Sequence, residues 1–97
     1  MNRVELTAHL TQLEPLRHTP AGIPVLQLGL EHRSEVEEAG SARTVVLEMP
    51  AVALGSLAES LAGAEYPSEV RVVGFLAPKR QGSNQLVLHI QSIAQAQ

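Results

Sequence analysis

The sequence predicts an all-β chain with one short helix, and three observations carry that prediction. Apolar and polar residues alternate with a period of two in several short runs, the pattern of half-buried strands. Proline and glycine clusters separate those runs. One stretch, rich in Ala and Leu, changes to helical spacing. With 97 residues, 44% hydrophobic and 18% charged, the chain suits a single domain over residues 1–97 with one modest core. It has no cysteine, which excludes disulfide frameworks, thiolate metal sites and cysteine nucleophiles and fits a reducing, cytoplasmic setting. MNRVELTAHL lacks the apolar run of a signal peptide, and no segment reaches the roughly 20 apolar residues of a membrane helix, so no membrane association is expected.

The first strand, Arg3 to Glu14, sets Val4, Leu6, Ala8 and Leu10 against Glu5, Thr7, His9 and Thr11. Pro15, Pro20, Gly22 and Pro24 then make LEPLRHTPAGIP a connecting loop. The second strand, Val25 to Arg33, carries Val25, Leu26, Leu28 and Leu30, with Gly29 marking a bulge or tight bend. SEVEEAGSA, residues 34–42, reads as a long polar hairpin loop with an acidic tip. The third strand, Arg43 to Met49, is rich in β-branched residues, and Pro50 ends regular pairing or forces it to an edge. Between Ala51 and Gly63, the spacing of Leu54, Leu57, Ala58, Leu61 and Ala62 predicts a short helix. Its cap candidate is Ser56, with Glu59 three residues on, and Gly63 closes it. Pro67 and Ser68 lead into the fourth strand, Glu69 to Ala77, which has Gly74 at its centre. PKRQGSN forms a second exposed loop, the fifth strand is Gln85 to Ile93, and the tail AQAQ is expected to fray. The order β-β-β-α-β-β is that of the OB-fold, a five-stranded Greek-key barrel whose second and third strands and one-two and four-five loops bind oligonucleotides or oligosaccharides.

Catalytic and metal chemistry find little support. His32 beside Glu31, with His9 and His89, are the candidate metal ligands, but none has the i, i+4 spacing of a site. His9 and His89 fall opposite the apolar faces of their strands, as surface histidines do. Phosphate-loop, dinucleotide and nucleophile-elbow motifs are absent, although Gly55-Ser56 lies near a helix start, and Glu37-Glu38 reads as a solvated tip. No enzymatic activity and no cofactor are expected.

Charge is more informative. The net value is −3, yet all ten acids lie at or before Glu69, leaving Arg71, Lys79 and Arg80 unopposed in the C-terminal third. Placed on the barrel, Arg17 falls in the one-two loop, Arg33 and Arg43 flank the hairpin, and Lys79 and Arg80 form the four-five loop, with His18 adding partial charge. These six form a candidate phosphate-contacting rim for nucleic acid; the competing reading is that loops are where charges ordinarily sit. Stacking groups are scarce at 2% aromatic. Phe75 is read as core and Tyr66 as lying off the binding face.

LEHRS at 30–34, EEAG at 37–40 and MP at 49–50 resemble the bacterial primosomal replication protein N (PriB) family. PLR at 15–17, GIP at 22–24, GF at 74–75 and LVLH at 86–89 extend the resemblance in the same order over nearly the whole chain. It implies a homodimeric OB-fold that binds single-stranded DNA and acts with a primosomal helicase and other primosome proteins in replication restart. It also implies that Arg33 corresponds to the family's strand-two arginine, Arg17 to its one-two loop arginine, and Lys79 and Arg80 to its basic four-five loop. His18 stands where lysine is typical. Ser41 and Val46 stand where the family can carry aromatics, and Gln85 where a further lysine is expected. Two missing platforms predict DNA binding weaker by roughly two or more orders of magnitude. A protein-protein adaptor with little nucleic-acid affinity is the alternative, motivated by the acidic tip.

Overall fold

Ala39 (φ 54°) and Gly40 (φ 82°) form a two-residue turn whose positive φ values match the right-handed twist of paired strands. It joins β3, Pro24–Glu38, to β4, Ser41–Leu54. The two strands pair in unbroken antiparallel register from Glu38 opposite Ser41 to Val25 opposite Leu54. The structure, a computed structural model, describes residues 1–66 and 68–96.

Three further strands close this hairpin into a barrel. β1, Val4–Thr11, pairs through residues 4–8 with β5, Val70–Pro78, and through residues 9–11 with β3. β5 pairs with β6, Leu86–Gln95, and β6 meets β4 in parallel at Ala51 and Val52. The barrel therefore closes in the order β1-β3-β4-β6-β5, the Greek-key connectivity of an OB-fold. β2, Arg17–His18, adds a two-residue strand beside β3. Where β1 passes from β5 to β3, Gly29 faces Thr11, whose Oγ1 lies 2.6 Å from the position a Cβ would take. Gly29 thus leaves room for the Thr11 side chain and does not mark a bulge, since the β3–β4 register runs through it unshifted.

The barrel interior is aliphatic. Ala8, Leu28, Leu30, Ala51, Val70, Val72, Leu88 and Ile90 form one buried cluster. The helix α1, Ser56–Ala62, plugs one end by burying Ala58 and Leu61 against Leu26 and Ala53. Its N-cap is Gly55, whose carbonyl accepts from the Ala58 and Glu59 N–H groups; Ser56 is the first helical residue and not the cap. Gly63 ends the helix as expected.

The structure departs from the sequence reading in further places. Residues 34–42 are not a loop: both strands continue to the Ala39–Gly40 turn as a two-stranded ribbon. Because the ribbon stands clear of the barrel, polar side chains are accommodated on it, and backbone pairing replaces burial as the organising force. Residues 51–54 are strand and not helix. Ala51 and Ala53 point into the core while Val52 and Leu54 do not, so pairing with β3 and β6 overrides the helical propensity of Ala and Leu. Pro50 does not end pairing. Counted from the turn, it falls at a non-hydrogen-bonded pair with Gly29, where its missing N–H removes no ladder bond to β3. Its other side is an edge, since among the described residues β4 has a second neighbour only at Ala51 and Val52. Finally, Ala94 and Gln95 belong to β6, and the Ala96 N–H bonds to the Glu69 carbonyl at 3.1 Å, so the tail is paired and not frayed that far. Pro67 and Gln97 lie outside the described residues.

His32 ties the base of the ribbon to β1. Its Nδ1 lies 2.7 Å from the Thr7 carbonyl and its Nε2 lies 2.8 Å from the Ser34 hydroxyl. A carbonyl only accepts, so Nδ1 carries the proton and, in the neutral ring, Nε2 accepts from Ser34. Both ring nitrogens are thus occupied by structure.

Candidate nucleic-acid interface

Alternation along β3 and β4 sorts their side chains onto two faces. Leu28, Leu30, His32 and Ser34 turn inward with Val45, Leu47 and Met49; Gln27, Glu31, Arg33 and Glu35 turn outward with Val46, Glu48 and Val52. Over this outer face a groove of about 620 Å³ opens between Gln12, Glu14, Arg17 and Thr19 on one side and Pro78 and Lys79 on the other. Arg17 and Lys79 line it from the two sides, Gln27 and Pro50 form floor, and Glu14 and Glu48 add acidic groups.

The six basic candidates are distributed unequally. Arg17, held by pairing of β2 with Val25, and Lys79, which follows β5 directly, come together in the groove. Lys79 is fixed by its N–H bond to the Gln85 carbonyl at 2.7 Å, and Arg80 sits beside it in a turn closed by the Ser83 N–H at 2.9 Å. His18 is exposed next to Arg17, opposite Pro24. Arg33 lies farther along the same outer face, opposite Val46, with a loose 4.0 Å ion pair to Glu35. Arg43 is on the other face of the ribbon, opposite Val36, and bonds Glu38 at 2.6 Å. The structure therefore groups Arg17 and Lys79, aligns Arg33 with them on one face, and sets Arg43 apart.

Acids share that face. Glu31 and Glu48 stand directly opposite each other at a non-hydrogen-bonded pair, where side chains approach most closely, and Glu35 and Glu37 follow toward the tip. Phosphate would meet favourable charge at the loop end of the face and repulsion toward the ribbon tip.

Phe75 is not core. Val70, Val72 and Gly74 face inward on β5, so Phe75 faces out, half-buried, and stacks on His89 of β6 with ring centroids 4.9 Å apart and planes inclined by 12°. His89 also lines the groove. The alternation of Val70 and Val72 carries the signal for this placement. Tyr66, in contrast, packs against both buried clusters. Val46 is 61% exposed on the outer face and Ser41 is exposed beside the turn, so neither position offers a stacking surface. Among the described residues, no three metal-ligating side chains come together, and no helix is long and apolar enough to cross a membrane.

A closed barrel of this connectivity with a groove beside these two loops defines an OB-fold. The chain matches the model described as another single-strand binding protein family over residues 2–92. It belongs to the PriB family of replication restart proteins. Replication restart protein PriB of Bordetella pertussis is 50% identical over 91 residues, spanning 94% of this chain and 85% of that protein. The PriB structure from Ralstonia solanacearum superimposes with a TM-score of 0.87 at 32% identity, covering 100% of this chain and 99% of that one. The single-stranded DNA binding protein of Thermus aquaticus superimposes with a TM-score of 0.73 at 26% identity, covering 97% of this chain and 49% of that one. The family is one of binding proteins and not of enzymes.

Proposed function

We propose that this protein is a single-stranded DNA-binding accessory of the replication-restart primosome, gripping the strand weakly and mainly through its phosphates. The observation that carries this reading is the convergence of Arg17 and Lys79 on one groove of an OB-fold. In the proposed mode, those two cations bracket the backbone, Arg80 and His18 extend the rim, and Arg33 continues it along the outer face. Arg43 serves the ribbon through Glu38 and is not needed for the grip. Binding is weak because Glu14 and Glu48 share the groove with the two cations, and because the family's aromatic positions hold Ser41 and Val46. The protein acts in the cytoplasm as a homodimer that stimulates or loads a primosomal helicase. Among the described residues the β4 edge along residues 41–50 has no second neighbour, which supplies a physical motive for association.

Titrating a labelled single-stranded oligonucleotide at several salt concentrations tests the phosphate grip. Affinity should fall with salt, and a Lys79→Ala, Arg80→Ala variant should bind more weakly, with a salt slope shallower by about 0.7 for each phosphate that is no longer neutralised. Absence of binding at low salt would refute it. The acidic outer ribbon favours a second reading, a protein-protein adaptor with little affinity for nucleic acid. Reversing Glu35, Glu37 and Glu38 should then abolish capture of the helicase, and intact capture would remove that version.

A further inference from the structure

We propose that His89, backed by Phe75, is the nucleobase-stacking platform of this groove, in place of the aromatics missing from the ribbon. The inference rests on the single-strand reading above and names where the bases go once the phosphates are held. Three observations carry it. His89 is a groove-lining residue, as are Arg17 and Lys79, so a base beside it belongs to a strand within reach of both cations. Its ring is already stacked on Phe75 at 4.9 Å and 12°, and Phe75 does not itself line the groove. The imidazole is therefore held as a flat surface and loses little freedom when a base lies on it. The arrangement is also built by the backbone. The β5–β6 register shifts between Val73 and Gly74, pairing Val73 with Ser92 and Gly74 with Ile90, so Gln91 is the extra residue of a bulge. A Cβ at Gly74 would strike the backbone carbonyl of His89. Only glycine admits this approach, and it brings Phe75 directly opposite His89.

Aromatic platforms suit single strands because every base presents a π-face, which makes stacking tolerant of sequence. The platform lies on β5 and β6, across the groove floor from the ribbon.

The test compares an oligothymidylate of about ten nucleotides with an abasic strand of the same length, on wild type, His89→Ala and His89→Tyr. Wild type should prefer the base-bearing strand by roughly fivefold or more. His89→Ala should lose that preference while holding the abasic strand as wild type does, and His89→Tyr should keep it. In wild type, the His89 ring-proton resonances should move upfield with the base-bearing strand and not with the abasic one. An undiminished preference in His89→Ala, or unmoved His89 resonances at saturation, would overturn the platform. Binding of the abasic strand with no preference in wild type would overturn it too, leaving the phosphate grip standing. Failure of both strands to bind at low salt would overturn the phosphate grip and the platform together.

Discussion

Placing a tryptophan at Val46 tests whether weak binding stems from missing platforms. Val46 is 61% exposed on the outer face, so its replacement leaves the core intact and should change stability by less than about 0.5 kcal/mol. It stands opposite Arg33 at a non-hydrogen-bonded pair, where Cβ atoms lie about 4.5–5.5 Å apart, so an indole there adjoins the guanidinium that would hold a phosphate. Base–aromatic stacking is worth about 1–3 kcal/mol per base, so Val46→Trp should tighten single-strand binding by about five- to 150-fold. The chain contains no tryptophan, which makes the new indole the sole reporter: its emission should be quenched as oligonucleotide is added, in step with an independent anisotropy titration. The abasic strand should gain little. An unquenched indole with unchanged affinity, in a protein that still responds to salt, would show that DNA does not pass over Val46 and would refute the argument from absent platforms.

Three further substitutions probe the groove and the barrel. Glu48→Gln removes an acid that lines the groove and relieves its cross-strand repulsion with Glu31; binding should tighten and stability should rise by roughly 0.2–1 kcal/mol, measured by anisotropy and urea unfolding. Unchanged binding in that variant would mean the strand does not approach Glu48. Gly74→Ala drives a methyl group into the His89 carbonyl, and because backbone must move, the midpoint of urea unfolding should fall by the equivalent of about 1–3 kcal/mol; wild-type stability would contradict the close approach. Leu61→Ala empties a fully buried position in the helix plug and should cost about 2–5 kcal/mol, with a value below about 1 kcal/mol arguing that α1 does not seal the barrel.

Strand existence and order were legible in the sequence because period-two alternation reports a buried face directly: Val4, Leu6 and Ala8, or Leu86, Leu88 and Ile90, show which way each strand turns. The two loops that carry Arg17 and Lys79 were legible for the same reason, since proline and glycine mark where alternation stops. The ribbon was not. Residues 34–42 lack an apolar face, and their strand state comes from cross-strand backbone pairing templated by a turn in which Ala39 accepts a positive φ. Residues 51–54 resemble a helix in sequence because alanine and leucine favour one locally, whereas Ala51 and Ala53 are held by neighbours distant in the chain.

For the site, the sequence by itself determined which side chains were available: the cations, the acids, and the scarcity of aromatics. Tertiary structure alone decided how they group, because faces and registers are relations between strands. Arg33 and Arg43 look equivalent as the two flanks of one hairpin, yet the register sets them on opposite faces. Phe75 and His89 are far apart in sequence and meet only because Gly74 lets two backbones close on each other at a bulge.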